Sequence, residues 1–214
     1  MKKLIILGAT GGCLDIVNLI EEINKKKKIY QIVGLLEDNS KIKKKINNYK
    51  VLGRFSDIKK FEKTCNFVTA IGNSKNFLKI EKIINRLDVN INKFPKIIHP
   101  SSSISKHSII GYGTLVFPNT VIGMNVKIGN FVNILPGCVI NHDSEINDYS
   151  KLNSMCNLGG EVKIGKLCYI GSGTNIRDSV SIGDKNLIGM SSVILKSFKK
   201  ARKTIYGFPA KIIK

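Results

Sequence analysis

Aliphatic side chains recur every six residues through the second half of the chain, without a break from Ile104 to Ile194. The positions in this register are Ile104, Ile110, Val116, Ile122, Ile128, Ile134, Ile140, Ile146, Leu152, Leu158, Ile164, Ile170, Ile176, Ile182, Ile188 and Ile194. A helix requires an apolar period near 3.6 and a flat strand a period of 2, so a period of six excludes long stretches of either. The pattern instead predicts a solenoid of short strands joined by corners.

The residues around each aliphatic position predict the shape of one coil. Two residues earlier the side chain is usually small or β-branched, and glycine often follows the aliphatic residue. A spacing of two places both side chains on the same side of a strand, so both point inward. Glycine suits a tight corner that a Cβ would obstruct. Three six-residue sides make a triangular coil, which places residue n beside residue n+18 in a coil about 4.8 Å away.

A different pattern precedes the solenoid. Strands are predicted over 2–7, 29–36 and 67–71, with helical apolar spacing at Ile16, Val17, Ile20 and Ile23 and again at Phe77, Ile80, Ile83 and Ile84. This alternation predicts a small parallel βαβ (Rossmann-like) α/β domain over residues 1–95. An all-β domain follows over 96–214, a left-handed parallel β-helix of hexapeptide repeats with a C-terminal tail.

Composition and charge restrict the class of protein. The formal net charge of +20 favours anionic partners, but the lysines occur in local bursts without a nucleic-acid motif, so we expect no nucleic acid. The five cysteines show no C-x-x-C pair and predict buried thiols. No apolar stretch is long enough to span a membrane, and glycines interrupt the apolar N-terminus. We therefore expect no stable membrane insertion, no signal peptide and a cytoplasmic location.

A glycine-rich loop follows the first predicted strand. Its residues are Gly8, Ala9, Thr10, Gly11 and Gly12. Such a loop aims backbone N–H groups and a helix N-terminus at a phosphate, and Asp38 follows the second strand as in many βαβ units. The loop is not a full G-x-G-x-x-G, so a merely tight strand-to-helix turn remains the alternative.

Of the three histidines, His142 is the candidate for chemistry. It lies two residues past the inward Ile140, at a corner from which a side chain points outward, and Asp143 follows it. An imidazole beside a carboxylate can act as a general base near neutral pH, although an exposed surface histidine is the alternative. The eighteen-residue coil places Gly160 beside His142, where its N–H could bind an oxyanion during acyl transfer. No other histidine shares this neighbourhood, so we expect no metal site.

With these residues the chain resembles bacterial sugar acetyltransferases of the bacillosamine-pathway type, which are grouped with the sialic acid O-acetyltransferases. The resemblance rests on GATGGC, LLED and AIGN after successive strands, on NHD inside the repeat, and on the closing GFPAK. It covers nearly the whole chain. It implies a homotrimer whose N-terminal domain holds a nucleotide sugar, while acetyl-CoA lies along the solenoid between neighbouring subunits.

The resemblance also assigns roles to single residues. His142 becomes the general base, Asp143 the carboxylate that assists it, and Gly160 the oxyanion amide. The UDP portion of the substrate is expected at Gly8, Ala9, Thr10, Gly11, Gly12, Asp38, Ile71 and Gly72. Acetyl-CoA is expected at Lys151, Gly160, Gly171, Gly173 and Pro209. Relatives often carry a histidine near Lys151.

The expected function is therefore acetyl-CoA-dependent N-acetylation of a UDP-linked aminodeoxy sugar for surface-glycan biosynthesis, without a metal. Two alternatives stay open. The acceptor could be a hydroxyl of sialic acid or another sugar, or the chain could be a trimeric nucleotide-binding scaffold without catalysis.

Overall fold

The computed structural model describes residues 1–39, 41 and 45–214. The chain divides into two compact units, of which the first comprises residues 1–71 and 80–95 and the second residues 72–79 and 96–214. The short segment 72–79 thus belongs to the second unit, although it lies inside the predicted N-terminal domain. None of the helices in the described residues has the length and apolar character needed to cross a membrane.

The first unit is built on one five-stranded sheet. Its elements are β1 (Lys2–Leu7), α1 (Gly11–Lys26), β2 (Tyr30–Leu36), β3 (Lys45–Ile46), β4 (Tyr49–Gly53), a 3-10 helix (Phe55–Lys60), β5 (Asn66–Thr69), α2 (Ile80–Leu87) and a 3-10 helix (Ile91–Lys93). The strand order is β3-β4-β2-β1-β5, and all neighbours are parallel except β3 and β4. The predicted Rossmann-like βαβ unit is confirmed. Helix α1 connects β1 to β2, these two strands pair in parallel, and the apolar side chains of α1 are buried.

The second unit is a parallel β-helix, as the period of six predicted. Its strands are β6 (Ile97–Ile98), β7 (Ser103–Ile104), β8 (Ile109–Ile110), β9 (Leu115–Val116), β10 (Val121–Ile122), β11 (Lys127–Ile128), β12 (Asn133–Ile134), β13 (Val139–Ile140), β14 (Glu145–Ile146), β15 (Lys151–Leu152), β16 (Asn157–Leu158), β17 (Lys163–Ile164), β18 (Tyr169–Ile170), β19 (Asn175–Ile176), β20 (Ser181–Ile182), β21 (Leu187–Ile188), β22 (Val193–Ile194), β23 (Thr204–Gly207) and β24 (Ala210–Ile212). A 3-10 helix, Phe77–Lys79, lies in the segment 72–79.

These strands form three faces. The six-strand face runs β22-β19-β16-β13-β10-β7, the five-strand face β20-β17-β14-β11-β8, and the eight-strand face β24-β23-β21-β18-β15-β12-β9-β6. Ile122 pairs with Ile140 and Ile140 with Leu158, which confirms the predicted register of eighteen residues. The aliphatic residue of each strand points into one continuous core.

The small residues before each strand also have a polar role. Thr114 Oγ1 donates to Gly129 O, Ser150 Oγ to Gly165 O, and Cys156 Sγ to Gly171 O. A buried hydroxyl or thiol thereby donates to a corner carbonyl of the next coil, and both buried polar groups gain a partner. All five cysteines are buried as free thiols, as predicted.

The corners are turned by a residue that the sequence pattern did not identify. From Ile110 to Ile188, the third residue after each aliphatic position has a positive φ, at Gly113, Asn119, Asn125, Phe131, Gly137, Asp143, Tyr149, Met155, Glu161, Leu167, Gly173, Ser179, Lys185 and Ser191. The glycines that directly follow the aliphatic residues serve close stacking instead. A Cβ on Gly111 would lie 2.5 Å from the carbonyl atoms of Gly129 in the next coil.

Replacing Gly111 by alanine is therefore expected to destabilise the solenoid. The added Cβ meets backbone atoms, which cannot rotate away, so we expect a loss of about 1 to 3 kcal/mol in the free energy of unfolding, the usual cost of overpacking. Chemical denaturation measures it. Gly11→Ala is the control, because a Cβ there has no neighbouring atom within 4 Å. Equal stability of the two variants would contradict the close-stacking role of Gly111.

Candidate active site

The predicted catalytic residues lie on one edge of the solenoid. His142 and Asp143 occupy the corner between β13 on the six-strand face and β14 on the five-strand face, and Gly160 occupies the corresponding corner one coil further. The backbone fixes this neighbourhood, since Glu161 N donates to His142 O at 2.9 Å. The structure thus brings these three predicted residues together.

His142 and Asp143 form a hydrogen-bonded pair. His142 Nδ1 lies 2.8 Å from Asp143 Oδ2, and both side chains are exposed. The second oxygen, Asp143 Oδ1, accepts from Asn125 Nδ2 at 3.1 Å. The hydrogen bond with His142, and after it that with Asn125, lowers the pKa of Asp143 below its ordinary value. Because the carboxylate holds Nδ1, Nε2 is the ring nitrogen available to accept a proton.

Gly160 packs directly against the imidazole of His142. A Cβ on Gly160 would lie 2.7 Å from Cε1 and 2.8 Å from Nε2 of that ring, so only glycine leaves room for it. At three corresponding corners the backbone amide is capped by an Asn or Asp side chain of the next coil: Tyr112 N by Asn130, Asn130 N by Asp148, and Lys166 N by Asp184. Among the described residues Gly160 N has no such acceptor, which leaves its N–H available to a ligand.

A groove of about 740 Å³ lies along the five-strand face beside Asp143. It is lined by two columns of residues at the eighteen-residue spacing: His107, Asn125, Asp143, Glu161 and Ser179, and Ile109, Lys127, Glu145, Lys163 and Ser181. The charges in the second column alternate, and Lys127 Nζ lies 3.5 Å from Glu145 Oε1. The groove is therefore polar and of mixed sign.

The predicted phosphate loop, Gly8 to Gly12, connects β1 to the start of α1. Thr10 caps the helix without a side-chain hydrogen bond, and the first amides of a helix have no acceptor inside it. Ala9 N, however, donates to Glu37 Oε2 at 2.7 Å. The Glu37 carboxylate thus already accepts the hydrogen bond of one loop amide, that of Ala9. Any phosphate would bind the amides nearer the helix.

The other predicted substrate residues lie around the same strand ends or in the segment 72–79. Asp38 Oδ1 accepts from Phe55 N at 2.8 Å, and Asp38 lines a cavity of about 450 Å³ in the first unit. Ile71 is buried beside Gly8, where a Cβ would lie 3.5 Å from Ile71 Cγ1. Gly72, with a φ of 115°, belongs to the second unit.

The residues expected to bind acetyl-CoA are spread over the second unit. Lys151 lies in β15 on the eight-strand face, where its Nζ donates to Gly72 O at 3.2 Å. Gly171 and Gly173 flank a corner, and a Cβ on Gly171 would meet the backbone of Met190. Pro209 lies in the turn between β23 and β24. Of this set Gly160 packs against His142, and the role of all five residues in CoA binding stays a prediction.

Two residues of the candidate sites were missed from the sequence. The sequence pattern points to Asp38, whereas the structure shows that the carboxylate of its neighbour Glu37 reaches the glycine loop. Asn125 lies eighteen residues before Asp143, so the coil spacing could have identified it. Among the described residues no group of three or more histidine, cysteine or acidic side chains is placed to hold a metal ion.

Comparisons with known proteins agree with this architecture. Residues 3–84 match the family model of the PglD N-terminal domain, and residues 119–154 match that of the bacterial transferase hexapeptide with six repeats. No curated protein matches the chain in sequence.

Three solved structures show the same fold over the full chain. A histidine-to-alanine mutant of GDP-perosamine N-acetyl transferase from Caulobacter crescentus, in complex with CoA and GDP-perosamine, is 19% identical, covers 100% of this chain and 98% of that chain, and has a TM-score of 0.86. The acetyltransferase domain of PglB from Neisseria gonorrhoeae is 22% identical over 100% of both chains, with a TM-score of 0.84. WeeI from Acinetobacter baumannii is 23% identical over 100% of both chains, with a TM-score of 0.72.

At these identities the solved structures establish the fold, and the two family models assign its two parts. The resemblance drawn from the sequence motifs is confirmed. Residues 3–84 are thus similar to the PglD N-terminal domain, and residues 119–154 are similar to the hexapeptide repeats of bacterial transferases.

Proposed function

We propose that the protein is an acetyl-CoA-dependent N-acetyltransferase whose acceptor is the amino group of a nucleotide-linked sugar. The observation that carries this proposal is the His142–Asp143 pair packed on Gly160, because it combines a base and a free backbone N–H on one edge. Two of the fold relatives support it: one is in complex with CoA and GDP-perosamine, and another solved structure of the PglB domain is in complex with acetyl coenzyme A.

The reaction follows from the positions of three groups. His142 Nε2 takes a proton from the sugar amine as the nitrogen attacks the thioester carbonyl, and Asp143 holds Nδ1–H. The Gly160 N–H donates to the oxyanion of the tetrahedral intermediate. The intermediate then expels the CoA thiolate, which takes the proton from His142, and the amide product remains. Positioning the two substrates together supplies a large part of the rate.

The first unit is proposed to hold the nucleotide. The amides at the start of α1 suit a diphosphate, while the carboxylate of Glu37 at Ala9 suits a hydroxyl or N–H donor of the nucleoside. We keep UDP as the proposed nucleotide on the motif resemblance, with GDP as the alternative that the relative with GDP-perosamine suggests. We further propose that the protein is a homotrimer that binds acetyl-CoA between neighbouring subunits. Its proposed role is in surface-glycan synthesis.

A thiol-release assay with acetyl-CoA tests this function. The acceptors are UDP-linked and GDP-linked amino sugars, each beside the matched sugar with a hydroxyl in place of the amine. We expect CoA release only with amino sugars, and a product that resists hydroxylamine because its new bond is an amide. A hydroxylamine-labile product would favour O-acetylation. Nucleotide binding without CoA release across the panel would favour the scaffold.

A further inference from the structure

We infer that Asn125 is a positioning residue that holds the Asp143 carboxylate in the orientation that His142 requires. The inference rests on the proposed function. Asn125 lies in the coil before the catalytic pair, and its side-chain amide hydrogen-bonds the Asp143 carboxylate.

The geometry assigns one donor to each oxygen of Asp143. Oδ2 lies 2.8 Å from His142 Nδ1, and Oδ1 accepts from Asn125 Nδ2 at 3.1 Å. Two donors on opposite oxygens fix the plane of a carboxylate, whereas one donor leaves it free to turn. Asn125 has a φ of 58° and Asp143 a φ of 57°, so the same corner geometry aims both side chains into one column. Asparagine tolerates this left-handed conformation better than most residues.

The orientation matters because the pair is exposed. The side chains of His142 and Asp143 are 62% and 49% accessible, so packing alone does not hold the ring. The imidazole acts as a base only when Nδ1 carries the proton and Nε2 is free, and the hydrogen bond to Asp143 sets that tautomer. A carboxylate that can turn away would leave both the tautomer and the ring direction less defined.

The remaining charged groups around Asp143 have other partners or lie further along the columns. In the next coil Glu161 Oε2 accepts from Ser179 Oγ at 2.9 Å. In the neighbouring column Lys127 pairs with Glu145, and Lys163 follows, while His107 lies one coil before Asn125. Among the described residues, Asn125 and His142 are the two side chains that hydrogen-bond Asp143.

The test compares Asn125→Gly with Asn119→Gly. Glycine accepts the positive φ, and Asn119 has the same φ of 58° at another corner, where its side chain makes no hydrogen bond among the described residues. We expect Asn125→Gly to lower kcat about threefold to tenfold, the effect of one hydrogen bond, with an unchanged KM for acetyl-CoA. Asn119→Gly is expected to stay within about twofold of the wild type.

A second readout does not depend on activity. The ¹⁵N signals of the His142 ring, assigned by their absence in His142→Gln, report which nitrogen carries the proton. We expect Asn125→Gly to reduce the Nδ1–H form, and the pKa of the Asp143 carboxyl to rise toward its ordinary value; Asn119→Gly should change neither.

Identical kcat values and ring signals in the two asparagine variants would overturn the inference. If Asn125→Gly alters the ring signals but the wild-type protein releases no CoA with any acceptor, the positioning contact is supported and the proposed function is refuted. The two failures are therefore distinguishable.

Discussion

Replacing His142 by alanine is expected to lower kcat for acetyl transfer by about 10²- to 10⁴-fold, the usual contribution of a general base. The amine must lose a proton as it attacks, and Nε2 of His142 is the proton acceptor on the edge that holds the Gly160 amide. Substrate positioning and the amide remain in the variant, so a residual rate above that in water is expected.

The measurement is CoA release under saturating acetyl-CoA. Added imidazole should restore part of the activity. Because the side chain is exposed, thermal unfolding should change little. A variant with near-normal turnover would refute the proposed mechanism.

Replacing Gly160 by alanine is expected to lower kcat by about 10²-fold through the position of His142. The new Cβ would lie 2.7 Å from Cε1 and 2.8 Å from Nε2, so the imidazole must move away from it. A displacement on the order of 1 Å in an active site can cost that factor. The coil itself should tolerate the change, because Ser154 and Lys166 carry side chains at the corresponding corners.

The double variant His142→Ala with Gly160→Ala separates this clash from any effect on the coil. With the ring removed, the Cβ meets no imidazole, so adding Gly160→Ala to His142→Ala should leave the thermal unfolding temperature and the residual rate nearly unchanged. Wild-type turnover in the single Gly160→Ala variant would contradict the contact. A large loss of stability in the double variant would place the effect in the backbone instead.

The solenoid was predictable in detail because its geometry is periodic. Each six-residue unit places its aliphatic residue inward in the same way. The register from Ile104 to Ile194 therefore identifies which residues are neighbours in successive coils, including His142 and Gly160. The left-handed residue at each corner escaped prediction because its identity varies from glycine to Phe131 and Glu161. Backbone conformation there is imposed by the stacked coils, and local propensity has little influence on it.

The first unit was less predictable, since its details depend on contacts between distant segments. Strand β4 is not evident in the sequence because its side chains are at most half-buried, so no run of core residues marks it. The choice between Glu37 and Asp38 depends on which carboxylate reaches the loop after β1, and the two stand side by side in sequence. Lys151 shows the same limit, because its hydrogen bond to Gly72 joins residues 79 positions apart.

The eighteen-residue register separates the ability to fold from the ability to react. One extra coil inserted between Asp143 and Gly160 would keep every inward position inward and every ladder paired. It would nevertheless move the amide a full layer away from the base. Adding or removing whole coils would thus preserve the fold but abolish the catalytic arrangement. The number of residues between Asp143 and Gly160 is therefore fixed by the reaction and not by the fold.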